Sequence, residues 1–102
     1  MRITLIFVLA ALSLVSCSKF AKVQKSTDYD YKLGMAEKYY VAKKYHYSQQ
    51  LYEDLFPLMK GQPQFQDLFY KYAYCSYYLR DYLQAENLFK QFTEVFPTSA
   101  KA

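Results

Sequence analysis

The chain matches itself when it is shifted by 37 residues. The shift pairs Ala36 with Ala73, Tyr40 with Tyr77, Tyr45 with Tyr82, Ser48 with Ala85, Leu51 with Leu88, Tyr52 with Phe89 and Leu55 with Phe92. Small residues fall on small ones and aromatics on aromatics. A repeat of this period means one supersecondary unit copied and stacked, because such a unit cannot bury its apolar face alone. Within the copies the apolar residues return at helical spacing: Leu51, Leu55, Leu58 and Met59 follow i, i+4, i+7, i+8, and so do Tyr70, Tyr74, Tyr77 and Tyr78. Breaks fall at Lys44-Tyr45-His46, Gly61-Gln62-Pro63, Arg80-Asp81 and Phe96-Pro97-Thr98-Ser99. The expected fold is all-α, a solenoid of two repeats and about four antiparallel helices over 31–43, 47–60, 64–79 and 82–96. Composition agrees with this. Thirteen Tyr and eight Phe exclude disorder for the body, and two Gly with three Pro exclude collagen-like, linker-like and many-turned β chains.

The second copy resembles a tetratricopeptide repeat. Ala73 stands at the small position of its first helix, Leu79-Arg80-Asp81-Tyr82 at the turn, Ala85 and Phe89 at the A-x-x-x-F of the second helix, and Pro97 at the closing proline. Ala85 is expected where the two helices cross closely, Phe89 in the groove beside it, and Pro97 as the stop, since proline lacks an amide donor and disfavours α geometry before it. The first copy matches less fully: Ser48 replaces the alanine, Lys60 the proline, and Pro57 lies inside the second helix, where it should bend or tighten the last turn. Ala36, Tyr40, Tyr45, Ser48, Tyr52, Ala73, Tyr77, Tyr82, Ala85, Phe89 and Pro97 are therefore the signature and packing positions. Tyr39, Tyr70 and Tyr74, on first helices, are candidates for a partner-binding concave surface, because tyrosine offers a rigid apolar body with one hydrogen-bonding tip. Two units alone should leave an apolar edge at Leu88, Phe92 and Phe96.

Ahead of the repeats stands a leader with one charge, Arg2, followed by an apolar run from Ile3 to Val15. Thirteen helical residues span about 20 Å, short of the roughly 30 Å hydrocarbon core, so the run is expected to be a signal peptide. It ends Leu14-Val15-Ser16-Cys17, which resembles the lipobox of bacterial lipoproteins. That resemblance implies cleavage between Ser16 and Cys17, an S-diacylglycerol on the thiol and a further, palmitate-type acyl chain on the new amino group. Two or three chains, at ~0.8 kcal/mol per buried CH₂, make a lasting membrane anchor. Residues 18–27 carry Lys19, Lys22 and Lys25 and no acid, and are expected to form a polar tether. By the same resemblance, the lack of Asp directly after Cys17 favours the outer membrane.

The residue inventory argues against catalysis. His46 is the only histidine, and Cys17 and Cys75 are the only cysteines, so no metal cluster, disulfide framework or catalytic triad can be assembled. Asp28 and Asp30 suit helix capping and the helix dipole. Cys75, mid-helix among Tyr and Ala, suits a buried reduced thiol. No phosphate-binding glycine loop is present. Beyond the leader, twelve Lys/Arg face nine Asp/Glu, too even a balance for nucleic acid as a partner. No enzyme activity, metal or cofactor is expected.

The lipobox, the tether ending Lys25-Ser26-Thr27-Asp28, the aromatic units, the joint at residues 55–61 and the closing Phe92-Thr93-Glu94-Val95-Phe96-Pro97-Thr98-Ser99 together resemble the start of the BamD family, the outer-membrane assembly lipoproteins of the β-barrel assembly machinery. The resemblance implies a scaffold facing the periplasm of a Gram-negative bacterium, with five repeats. Its partners would be the barrel-forming subunit, docked through later repeats, and unfolded outer-membrane protein segments, met by the first repeats. On this view 1–16 is the signal peptide, 17–30 the lipidated cysteine and tether, 31–63 and 64–97 two repeat units, and 98–102 the start of a third, so that the chain is part of a longer protein. The alternatives are a glycan-capturing outer-membrane lipoprotein on the same helical scaffold, or another such envelope lipoprotein, a secretin pilot or a division coordinator.

Overall fold

The structure, a computed structural model, describes residues 18–99; Cys17 and the leader lie outside them. Among the described residues there are helices and no strands. In chain order they are α1 (helical at 18–25), α2 (Tyr29–Val41), α3 (Tyr45–Met59), α4 (Phe65–Tyr78) and α5 (Tyr82–Val95). Each of α2 to α5 packs on its neighbour in sequence, which makes α2/α3 and α4/α5 two helical hairpins joined through α3 and α4. The all-α, tetratricopeptide-like helical repeat is the observed fold.

The repeat is visible in the backbone. Lys43 and Arg80, 37 positions apart, are the described non-glycine residues with positive φ, 62° and 66°. Around each, the same hydrogen bonds close the preceding helix. The amides of Lys43 and Lys44 donate to the carbonyls of Tyr40 and Tyr39 at 3.0 and 2.8 Å, and those of Arg80 and Asp81 to Tyr77 and Ser76 at 3.0 and 2.9 Å. This paired pattern is a Schellman cap with a left-handed residue at its centre. It moves the first turn two residues earlier than the sequence reading placed it, because Lys43 rather than His46 reverses the chain. The restarts differ: Asp81 caps α5 by accepting from the Gln84 amide at 3.3 Å, whereas Lys44 offers α3 no side-chain cap. Asp28 caps α2 through the Tyr31 amide at 3.1 Å.

The core lies between the hairpins. Leu51, Tyr52, Leu55, Leu68, Ala73 and Cys75 are wholly buried there, and each large apolar side chain among them stabilises the fold by about 1.5–3 kcal/mol. Pro57 sits inside α3 on its exposed side, and the helix continues to Met59. Since Pro57 has no amide to give, the carbonyl one turn earlier belongs to solvent-facing Glu53.

The stretch expected to be a tether is different. Residues 18–25 are helical, and Phe20 and Val23 are buried against the body. Phe20 meets the rings of Tyr39 and Tyr47 at 6.0 and 4.5 Å. Lys32, itself buried, donates to the Gln24 carbonyl at 2.7 Å and pairs with Asp54 at 3.5 Å, so one ammonium joins α1, α2 and α3. The i, i+3 spacing of Phe20 and Val23 makes one apolar face while the three lysines point to water.

Candidate partner-binding surface

The small signature residues sit where helices cross. Ala36 and Ala73 are fully buried, Ala85 nearly so. Ser48 fits at such a position because its buried hydroxyl donates to the Ala36 carbonyl at 2.9 Å, which removes the desolvation cost of a hydroxyl in an apolar contact. The next crossing, between α3 and α4, brings Gln49 to the buried hydroxyl of Ser76 at 3.2 Å.

The aromatic signature residues divide by unit. In the first unit, α4 covers them. Tyr52 is fully buried, Tyr40 lies between Tyr45 and Tyr52, and Tyr45 stacks on Tyr78 with ring centres 4.4 Å apart and planes at 18°. Lys71 of α4 bonds Glu37 of α2, pairs with Asp67 at 2.9 Å, and stands 5.7 Å from the Tyr40 ring centre. Burial alone would depress the Lys71 ammonium, but Glu37 and Asp67 outweigh it and hold it above its ordinary value. Burial likewise pushes the Tyr40 and Tyr52 hydroxyls well above the usual range. The Tyr52 hydroxyl is buried without a hydrogen-bond partner; Glu37 and Ser48 are its polar neighbours, and neither meets bonding geometry.

In the second unit the equivalent positions are open. Tyr77 and Tyr82 are 49% and 58% exposed and touch only edge to face at 5.7 Å. Phe89, at the position of buried Tyr52, is half-buried between Tyr70 and Tyr74. The physical reason is that no described helix lies on α5 as α4 lies on α3. The uncovered edge therefore runs along Tyr74, Tyr77, Tyr78, Tyr82 and Phe89. It is not the Leu88, Phe92 and Phe96 edge expected from sequence: Phe92 is 1% exposed, packed on Phe69, Tyr70 and Phe96, and the other two are partly buried against the core.

The three candidate surface tyrosines separate. Tyr70 and Tyr74 are adjacent on α4, where their hydroxyls share a hydrogen bond at 3.3 Å that, with burial, holds the Tyr74 hydroxyl above its ordinary pKa. Both border the open edge. Tyr39 does not: Phe20 and Tyr47 close over it. Pro97 is exposed beyond the end of α5, and Cys17 lies outside the described residues. Sequence reasoning missed Tyr78 as a surface residue and Phe20 as a core residue.

Cys75 is wholly buried, and burial lifts its thiol to about 11, which leaves it protonated at neutral pH. Among the described residues no group of three His, Cys, Asp or Glu could hold a metal ion. A concavity of about 460 Å³ lies at the far end of the hairpins, lined by Phe56, Lys60, Phe65, Phe69 and Phe96.

No protein-family model, curated protein or solved structure matches the chain.

Proposed function

We propose that this protein is a non-catalytic scaffold lipoprotein of the outer-membrane β-barrel assembly complex, held in the membrane through acylated Cys17 and facing the periplasm. The observation that supports a scaffold most directly is the open edge of the second unit. Tyr74, Tyr77, Tyr82 and Phe89 repeat the positions by which the first unit receives α4, so they offer a ready surface for a helix or an apolar segment of another protein. Tyrosine-rich surfaces of this kind suit protein recognition, since each ring supplies large contact area at small entropic cost. The assignment to barrel assembly rests on the resemblance of the lipobox, the lysine-bearing segment after it and the order of the aromatic units. The partners on this reading are the barrel-forming subunit and unfolded outer-membrane protein segments.

Affinity purification from detergent-solubilised envelopes tests it. The barrel-forming subunit should co-purify, and Tyr77→Ser with Phe89→Ser should weaken capture of the client segments without unfolding the chain. Recovery of a TonB-type porter or a secretin in its place would replace this reading with a glycan-capturing lipoprotein or a secretin pilot. The first of these draws support from Tyr77, Tyr78 and Tyr82, each about half exposed and so able to stack on a sugar ring.

A further inference from the structure

The molecule gathers exposed cations and exposed aliphatic side chains on one edge. Three observations place it. Phe20 packs on Tyr39 and Tyr47, and the Tyr39 carbonyl accepts from Lys44 in the α2–α3 turn, so the first described residues lie beside that turn. Lys32 holds Gln24 near the start of α2, so α1 runs antiparallel to α2. The Tyr45–Tyr78 stack then brings the α4–α5 turn next to the α2–α3 turn. One edge thus gathers both turns and the first described residues of α1.

Its residues are unusual. Val41 and Leu83 are 78% and 72% exposed, with Leu79 at 39% beside them. Interleaved with these are Lys38, Lys43, Lys44 and Arg80, and Lys19 and Lys22 on α1, all exposed. None of these cations has a carboxylate at ion-pair distance among the described residues. The one carboxylate in the two turns, Asp81, is turned to the Gln84 amide, and Glu86 lies a turn further along α5. Asp28, Asp30, Asp54 and Asp67 are instead at the opposite end.

We propose that this edge rests on an anionic phospholipid surface, with Val41, Leu79 and Leu83 dipping among the headgroups and the six cations on lipid phosphates. Alternating aliphatic and basic side chains on one edge match the boundary between headgroups and acyl chains. A nucleic acid would use the cations and leave the aliphatics in water. No helix of the described residues is long and apolar enough to cross a membrane, so the contact is one of lying on the surface. The inference is independent of barrel assembly: it would stand for any role at such a membrane.

The full chain, which has no tryptophan, is mixed with vesicles containing phosphatidylglycerol and brominated lipid. Single tryptophans are introduced by Leu83→Trp on the proposed edge and by Val95→Trp, a 53% exposed site near the other end of α5. The expected result is blue-shifted emission and strong quenching for Leu83→Trp, at least severalfold that of Val95→Trp. Adding Lys43→Glu, Lys44→Glu and Arg80→Glu should abolish that difference while the melting temperature and the capture of protein partners stay unchanged. Equal quenching at both sites, none at either, or quenching at Leu83→Trp indifferent to charge reversal or to replacing phosphatidylglycerol by phosphatidylcholine would overturn the proposal.

Discussion

Tyr45 lies flat on Tyr78, ring centres 4.4 Å apart, and so joins the start of α3 to the end of α4. The contact links the two repeat units at the edge where both hairpins turn. A double-mutant cycle with Tyr45→Ala and Tyr78→Ala, followed by denaturant unfolding, should return a coupling of about 0.5–1.5 kcal/mol. Additive effects would mean that the stack contributes nothing to the stacking of the units.

Replacing Tyr52 by phenylalanine should stabilise the chain. Its hydroxyl is buried without a partner, a cost on the order of 1 kcal/mol that Tyr52→Phe removes with little change of shape. The second unit already carries Phe89 at the matching position. A lower unfolding midpoint for Tyr52→Phe would show that Glu37 or Ser48 bonds the hydroxyl in solution.

Lys43 and Arg80 occupy left-handed backbone at φ 62° and 66°, which strains any side chain bearing a Cβ. Lys43→Gly and Arg80→Gly should each raise stability by about 0.5–1 kcal/mol, relief of strain exceeding the extra chain entropy lost. Lys43→Val and Arg80→Val should each lower it. Thermal melts of the four variants check the sign, and the two positions should respond alike because their hydrogen bonds are alike.

The interior should fail in alkali. Burial lifts the Cys75 thiol from 9.0 to about 11 in the fold, so the folded state holds that proton more tightly than the unfolded chain does. Its contribution is complete below pH 9 and is lost as pH rises through 11. The urea midpoint should therefore be flat up to about pH 9 and fall beyond it. Cys75→Ala should remove part of the fall, and the rest belongs to buried tyrosines such as Tyr52 and Tyr72, which burial also raises. A Cys75→Ala profile identical to the parent's would exclude the thiol as a contributor.

Lys32→Met should release α1. The ammonium donates to the Gln24 carbonyl and faces Asp54, and a side chain without a donor leaves both unanswered at about 1–3 kcal/mol. Hydrogen exchange should accelerate in residues 18–25 more than in α4. Uniform acceleration would mean that Lys32 supports the whole fold rather than this one junction.

What could be read in the sequence follows from what repeats. Ala36 with Ala73 and Tyr40 with Tyr77 revealed the unit, and the unit implied the helices, their order and their crossings. Whether a given aromatic is covered depends on which helix lies across it, and a single unit carries no information about that. Tyr40 and Tyr77 share a register, yet only the first has α4 upon it. Phe20 and Val23 escaped because two apolar residues among three lysines make too short a period to stand out from a polar segment. Pro57 lies inside the helix expected over 47–60, and α3 runs through it to Met59 because the carbonyl it leaves without a donor belongs to solvent-facing Glu53, where the loss is small.

The unequal covering of the two units sets a gradient in local stability. α4 buries seven residues and α3 five, whereas α5 buries Ala85 and Phe92 alone. Opening of α5 is thus the least costly excursion of the described hairpins, and any molecule seated on Tyr77, Tyr82 and Phe89 must suppress it. Occupancy of that edge is thereby converted into lifetime: with the edge vacant, α5 is the first backbone a protease can reach, and with it filled the same cleavage slows.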